Sequence, residues 1–158
     1  MHLTERGTYF EKGYQLYDEG NRFYNFRDVG WAALHAGEYE RAEHVARWLL
    51  GVKAPDWDTG NKQHFGHIIL GTISLRRGDV EAAKQELILA GKAPGSPQRI
   101  DGGNMFLAKE LLEKGEKEAV LRYLQLCGWG LFGYFRCRGW KKAIKRDEIP
   151  DFGDNLIR

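Results

Sequence analysis

Two of the five histidines, His64 and His67, lie three residues apart, a spacing that sets two imidazoles on one helix face where they could share an ion. No Asp, Glu or Cys stands at a further helical step beside them, and His67 falls where a packed helix needs an inward residue. The pair therefore reads as structural, and neither a metal nor a cofactor is expected. His35 and His44 flank a turn at Gly37 and read as surface residues. Asp56 with Asp58, and Glu110 with Glu113, have the spacing to divide acid and base roles, yet solvated helix and loop charges account for both pairs. Glycine-rich phosphate loops, nucleophile elbows and zinc-binding His-Glu helices do not occur, so nothing in the chain argues for an enzyme.

Binding chemistry has more material. Arg136, Arg138, Lys141, Lys142, Lys145 and Arg146 place six cations in eleven residues without an acid, with Trp140 among them, a pattern that can contact phosphates or stack on a base. The competing account is a terminal helix with Trp140, Ala143 and Ile144 inward and the lysines in solvent. Between Gly91 and Gly103, two prolines and four glycines make a long connection. Its Gln98, Arg99 and Asn104 are candidates for a small-molecule or anion site at a helix N-terminus, Asn104 having the simpler role of a helix cap. Trp57, framed by Asp56 and Asp58 in a loop expected over 52–60, either folds back over a hairpin end or offers an aromatic contact. Cys127 and Cys137, separated by nine residues, fit neither a metal knuckle nor a disulfide framework and read as reduced thiols, Cys127 on a buried face.

These groups need a scaffold, and 158 residues with 42% apolar and 29% charged side chains suffice for one domain with a real core. A net charge of +2 selects no partner by itself. The first 19 residues hold no apolar run of signal-peptide length, no segment approaches a membrane span, and a cytoplasmic location is expected.

Apolar spacing predicts helices throughout. A capping box at Thr8 to Glu11 opens a helix over 8–19, which Gly20 and Asn21 are expected to break. Phe23, Phe26, Gly30, Ala33 and Leu34 mark a second helix ending at Gly37, with Tyr39, Ala42, Ala46 and Leu49 as its return partner, so that 8–36 and 37–51 form the first hairpin region. Phe65, Ile68, Ile69, Thr72 and Ile73 lead to Gly78. Asp79 then caps Val80, Ala83, Leu87 and Ala90, giving a second hairpin over 61–91. Asn104 caps a third over 104–127, turning at Gly115. Residues 128–158 form an aromatic and basic cap with one short helix around Trp140 before Pro150.

Aligning Gly37, Gly78 and Gly115 exposes a repeat. The residue five after each is Ala42, Ala83 or Val120, and the residue seven before is Gly30, Gly71 or Ala108, small enough for paired helices to approach closely. Leu70, Gly71, Gly78, Val80, Ala83, Leu87, Ala90 and Pro94 resemble the tetratricopeptide repeat, with weaker copies at Val29 to Ala42 and Leu107 to Gly115. The glycines are 41 and 37 residues apart, longer than that motif's usual 34. Segments 67–71, 77–84, 94–98, 104–115 and 150–156 also look like a bacterial family of repeat-containing proteins without an assigned activity. This chain departs from that family between Arg99 and Gly103, where the family tends to carry an aromatic residue and a proline.

The resemblance implies an all-α, right-handed stack of three tetratricopeptide-like hairpins, one domain over 1–158, with an extra N-terminal helix and a short C-terminal capping helix. In such stacks the first helix of each pair lines a groove. Tyr24, Arg27, Trp31 and His35 would then neighbour Phe65, Ile68, Thr72 and Arg76, with Lys109 extending the row. Aromatic walls and cationic ends suit a protein or peptide ligand bearing an acidic group or C-terminal carboxylate. The competing arrangement has Trp31 and Phe65 in the core and the groove filled by the N-terminal helix or the tail. A non-catalytic adaptor is the leading expectation, ahead of nucleic-acid binding by the basic helix, a small-molecule site at 91–103, and a homodimer burying a bare stripe.

Overall fold

The computed structural model describes residues 19–51, 56–94, 103–127 and 130–156. Among them are seven α-helices and one short 3-10 turn, with no strand: α1 (Glu19–His35), α2 (Tyr39–Gly51), α3 (Asp56–Arg76), α4 (Val80–Lys92), α5 (Phe106–Glu113), α6 (Lys117–Leu126), α7 (Gly130–Lys145) and the 3-10 turn Gly153–Leu156.

The turns at the three glycines are built identically. Gly37, Gly78 and Gly115 have φ of 74°, 86° and 87°, the left-handed region open to glycine at little cost. Each closes its helix with a Schellman pair: Gly37 N–H donates to the Leu34 carbonyl at 3.1 Å and Glu38 N–H to that of Ala33 at 2.9 Å. The same two bonds recur from Gly78 and Asp79 to Leu75 and Ser74, and from Gly115 and Glu116 to Leu112 and Leu111. A fourth copy ends α7, where Asp147 (φ 64°) takes the glycine position and bonds to Ile144 while Glu148 bonds to Ala143. Asp147 also pairs with Lys117 of α6. After Gly78, the Asp79 carboxylate accepts the Ala82 N–H at 2.9 Å and caps α4 as the sequence predicts.

Helices joined by these turns pack on each other, α1 on α2, α3 on α4 and α5 on α6. Between pairs, α3 meets α1 and α2, α5 meets α3 and α4, α6 meets α4, and α7 lies against α6. With neighbours on so many sides, α3 is buried nearly all round, and it divides the core. Phe65, Ile69 and Ile73 join Ala42, Val45, Ala46 and Leu49 on one side. Ile68 and Leu75 join the larger cluster around Leu87, Leu107, Leu111, Tyr123 and Leu124 on the other, and Trp31 packs against both.

The small residues of the repeat lie at these contacts. A Cβ on Gly30 would come within 2.9 Å of Ile69 Cδ1, and one on Gly71 would run into Leu107 Cδ2 and stand 2.9 Å from Glu86 Cβ. Ala42, Ala83, Ala108 and Val120 are wholly buried.

Several boundaries differ from expectation. Gly20 and Asn21 do not break a helix but lie in the first turn of the described α1; the helix expected over 8–19 lies outside the described residues except for Glu19. The loop expected over 52–60 ends at Asp56, where α3 begins, so Trp57 is helical. The helix of the third pair starts at Phe106 rather than directly after Asn104. The C-terminal helix is not short: α7 runs sixteen residues through Gly133 and Gly139, because Gly133, Cys137, Trp140 and Ile144 form one continuous buried stripe.

Candidate functional site

The face shared by α1, α3 and α5 carries most of the residues singled out by their position in the repeat. On α1, Trp31 and His35 are one turn apart with rings nearly parallel and 5.7 Å between centroids. Phe106, the first residue of α5, stands edge-on to both at 5.3 and 5.4 Å. The Arg27 guanidinium lies 5.3 Å from the Phe65 ring centroid and pairs with Asp28 at 2.9 Å. On α3, Arg76 pairs with Glu110 of α5, and Lys109 lies 3.7 Å from Glu113.

Of the residues expected to line a groove, Trp31 and His35 meet Phe106, Arg76 meets Glu110 and Lys109 meets Glu113, all on α5, whereas three others are buried. Phe65, Ile68 and Thr72 are core residues, and the Thr72 hydroxyl donates to the Ile68 carbonyl within its own helix at 2.8 Å. The reason is that α3 packs against α1, α2, α4 and α5, leaving its middle turns no free side. Tyr24 lies on α1, with its side chain outside the described residues. Neither arginine waits for a ligand carboxylate, since Asp28 and Glu110 already hold the guanidinium groups.

Two polar atoms on this face have no partner. The Trp31 indole Nε1, a donor, and Glu110 Oε2, an acceptor, are buried without a hydrogen bond. Such a group forgoes its bond to water and costs about 1–3 kcal/mol. Phe106 touches Trp31 at the α1–α5 seam, and Glu110, one turn further along α5, pairs with Arg76 of α3, so the two orphans lie about a turn apart along α5. Phe106 did not stand out in the sequence as a site residue, and Glu110 did so only with Glu113 as a carboxylate pair, not as a partner of Arg76; the place of Phe106 directly after the expected helix start was the available signal.

At the 91–103 edge, Gln98 and Arg99 lie outside the described residues, and Asn104 is a buried joint rather than a rim residue. Its side-chain oxygen accepts the Phe106 N–H at 2.9 Å, occupying the amide that an anion would need. Its own N–H donates to His64 Nε2 at 3.0 Å, and its carbonyl accepts the Tyr123 hydroxyl at 2.6 Å. His64 Nδ1 in turn donates to the Ala90 carbonyl at 3.0 Å, so its partners set the neutral tautomer with hydrogen on Nδ1. His67 pairs with Glu86 of α4 at 2.7 Å. The two imidazoles therefore have separate duties, and no group of three metal-ligating side chains occurs among the described residues. Next to this joint, Asn155 donates to the Gly103 carbonyl at 2.8 Å, accepts from Arg136 at 2.8 Å and through its carbonyl accepts the Met105 N–H at 2.7 Å, tying the C-terminal turn to the start of α5.

The basic C-terminal segment differs from expectation in its aromatics. Trp140 is buried, donates its indole N–H to the Asp151 carbonyl at 3.2 Å and packs on Phe152 at 5.1 Å, so it cannot stack on a base. The bare apolar residues of α7 are Leu131, Phe132, Tyr134 and Phe135, exposed by 68, 76, 51 and 57%. Burial and the neighbouring Cys127 push the Cys137 thiol up to about 12, and both cysteines are buried and outside any disulfide, which leaves an unreactive thiol at Cys137. On the far side, α4 and α6 flank an open groove of about 680 Å³ in which Lys84 bridges Glu81 at 2.5 Å and Glu116 at 3.1 Å.

No family model, curated protein or solved structure matches the chain. No described helix is long and apolar enough to cross a membrane.

Proposed function

We propose that this chain is a non-catalytic adaptor that binds a peptide segment of another protein across the α1–α3–α5 face. The scaffold we propose is a right-handed stack of three tetratricopeptide-like hairpins: α1 with α2, α3 with α4, and α5 with α6. Three identical glycine turns and close approach at Gly30, Gly71 and Ala108 support the stack. In it, the first helices line one side, the position from which helical-repeat proteins hold extended ligands.

The observation that carries the reading is the orphaned donor and acceptor, Trp31 Nε1 and Glu110 Oε2. A peptide group presents a carbonyl to accept from an indole N–H and an N–H to donate to a carboxylate. A ligand that displaces the side chains covering these atoms and supplies both partners recovers the cost the free protein carries there. His35 and Phe106 offer the neighbouring aromatic contact. A ligand carboxylate is a poorer fit than a main-chain amide, because it must first displace Glu110 from Arg76 or Asp28 from Arg27.

Selection of displayed random peptides on the full chain, followed by NMR of the indole N–H signals, tests this. Selected peptides should move the Trp31 signal, identified by its loss in Trp31→Phe, and should bind Glu110→Gln about tenfold more weakly, the worth of one hydrogen bond to a charged group. Peptides that bind tightly while leaving the Trp31 signal in place would overturn the reading.

A further inference from the structure

The outward face of α7 has two halves. Gly133, Cys137, Trp140 and Ile144 anchor the helix to the core, so residues on the opposite side point to solvent. Toward the N-terminal end that side carries Leu131, Phe132, Tyr134 and Phe135, more than half exposed in each case. Toward the C-terminal end it carries Arg138, Lys142 and Lys145, with the half-buried Lys141 at its edge. Arg136 is occupied with Asn155 and Arg146 with Glu148, but these four have no ion-pair partner among the described residues. No acid interrupts the run from Gly130 to Arg146.

We propose that this face docks the protein on an anionic lipid bilayer, with the Leu131–Phe135 end in the interface and the Arg138–Lys145 end on the headgroups. Charge complementarity selects the occupant. A second copy packed on the same face would set cations against cations if the helices ran parallel, and if antiparallel would bury the cations against the apolar half with no acid to pair them; either costs energy. Single-stranded nucleic acid suits the cations but not the apolar half: Leu131 has no ring, Tyr134 and Phe135 are edge-to-face at 5.6 Å instead of side by side, and Trp140 is buried. An anionic membrane uses both halves. Aromatic and leucine side chains gain from the boundary between headgroups and acyl chains, and each Lys or Arg near the surface adds about 1 kcal/mol of attraction.

The axial order of the halves sets the pose. Leu131 and Lys142 are about 16 Å apart along the helix at 1.5 Å per residue, so the helix tilts with its N-terminal turn inward. Its first amides have no intrahelical acceptors and keep the insertion shallow, within the roughly 5–10 Å of an interfacial helix. Contact of this kind is peripheral and reversible, and it leaves the α1–α5 seam untouched.

Flotation of the full chain with vesicles of phosphatidylcholine alone, or of phosphatidylcholine with phosphatidylserine, tests the proposal. Binding is expected only to the anionic vesicles, weakening with added salt. Lys142→Glu with Lys145→Glu should lower partitioning by tenfold or more, and Phe132→Ser with Phe135→Ser should lower it comparably at low salt. All four side chains are solvent-exposed, so these variants should keep the parent circular dichroism and melting behaviour. Equal partitioning into neutral vesicles, absence of binding to anionic ones, a dimer that Phe132→Ser dissolves, or a salt-sensitive shift of single-stranded RNA without vesicle binding would each overturn it.

Discussion

The α1–α3–α5 face and the outward face of α7 are made from the same residue types and treat them in opposite ways. On the first, Trp31 and Phe106 are half-buried against each other, Arg76 and Arg27 are held by carboxylates, and the liabilities are two hidden polar atoms. On the second, the phenylalanines and lysines stand bare and every buried group is satisfied where its bond is seen, as with Trp140 and Asp151. Aromatic and basic composition therefore does not identify a binding face. What matters is which stripe of a helix its neighbours cover, and α7 is covered by α6 and by the Asp151–Asn155 segment while its other side stays bare.

The largest expected effect tests whether the interior side of this comparison is held together at His64. That imidazole joins α3 to the Ala90 carbonyl at the end of α4 and to the Asn104 N–H before α5, with Tyr123 of α6 bonded to the same asparagine. His64→Ala strips the Ala90 carbonyl of one of its two donors and the buried Asn104 N–H of its imidazole acceptor, and opens a cavity. Its expected cost in denaturant unfolding is about 3–5 kcal/mol. A loss no larger than that of an exposed substitution would mean that the pairs are fastened elsewhere and that the contrast between the faces is only one of exposure.

A smaller effect compares the two tryptophans directly. Trp140→Phe removes the donor to the Asp151 carbonyl, whereas Trp31→Phe removes an N–H that has no partner. Both lose ring area of the same kind. Trp140→Phe should therefore be the more destabilising by about 1 kcal/mol, the net worth of an intramolecular hydrogen bond. Equal losses would mean that the Trp31 indole is satisfied in solution, and would weaken its use as the mark of a ligand site.

The three glycine turns and the paired small residues were legible because a left-handed turn and a close helix approach each admit few residue types. Asp147 makes the same turn without glycine and so gave no signal. Trp31, His35, Arg76 and Lys109 were placed on a shared face by repeat register alone. That register could not reveal that Phe65, Ile68 and Thr72 are core, since burial of α3 depends on four other helices. The basic half of the α7 face was legible as a lysine side opposite Trp140 and Ile144, but its apolar half was missed for a related reason: the glycines suggested a broken segment, while the buried stripe that keeps the helix continuous becomes visible only when Gly133 is counted as an inward residue.

The smallest effect concerns acid. Glu43 on α2 accepts from Arg47 at 2.7 Å and, across the pair boundary, from Arg77 at 2.8 Å; hydrogen bonds from Arg47 first and Arg77 second hold its carboxyl below the ordinary value of 4.5. A folded-state value below the unfolded one means that the unfolded chain binds the proton more readily. The stabilisation is then complete above pH 4.5 and is lost as the pH falls from there through the lower folded value. Wild type and Glu43→Gln should accordingly differ by up to about 1 kcal/mol at neutral pH and converge on acidification. Glu148, beside α7, is also held low, by its hydrogen bonds from Arg146, but it is open to solvent, and screening should leave Glu148→Gln indistinguishable from the parent at every pH. Matching acid profiles for the two variants would show that Glu43, held between α2 and the end of α3, is no better shielded from solvent than Glu148.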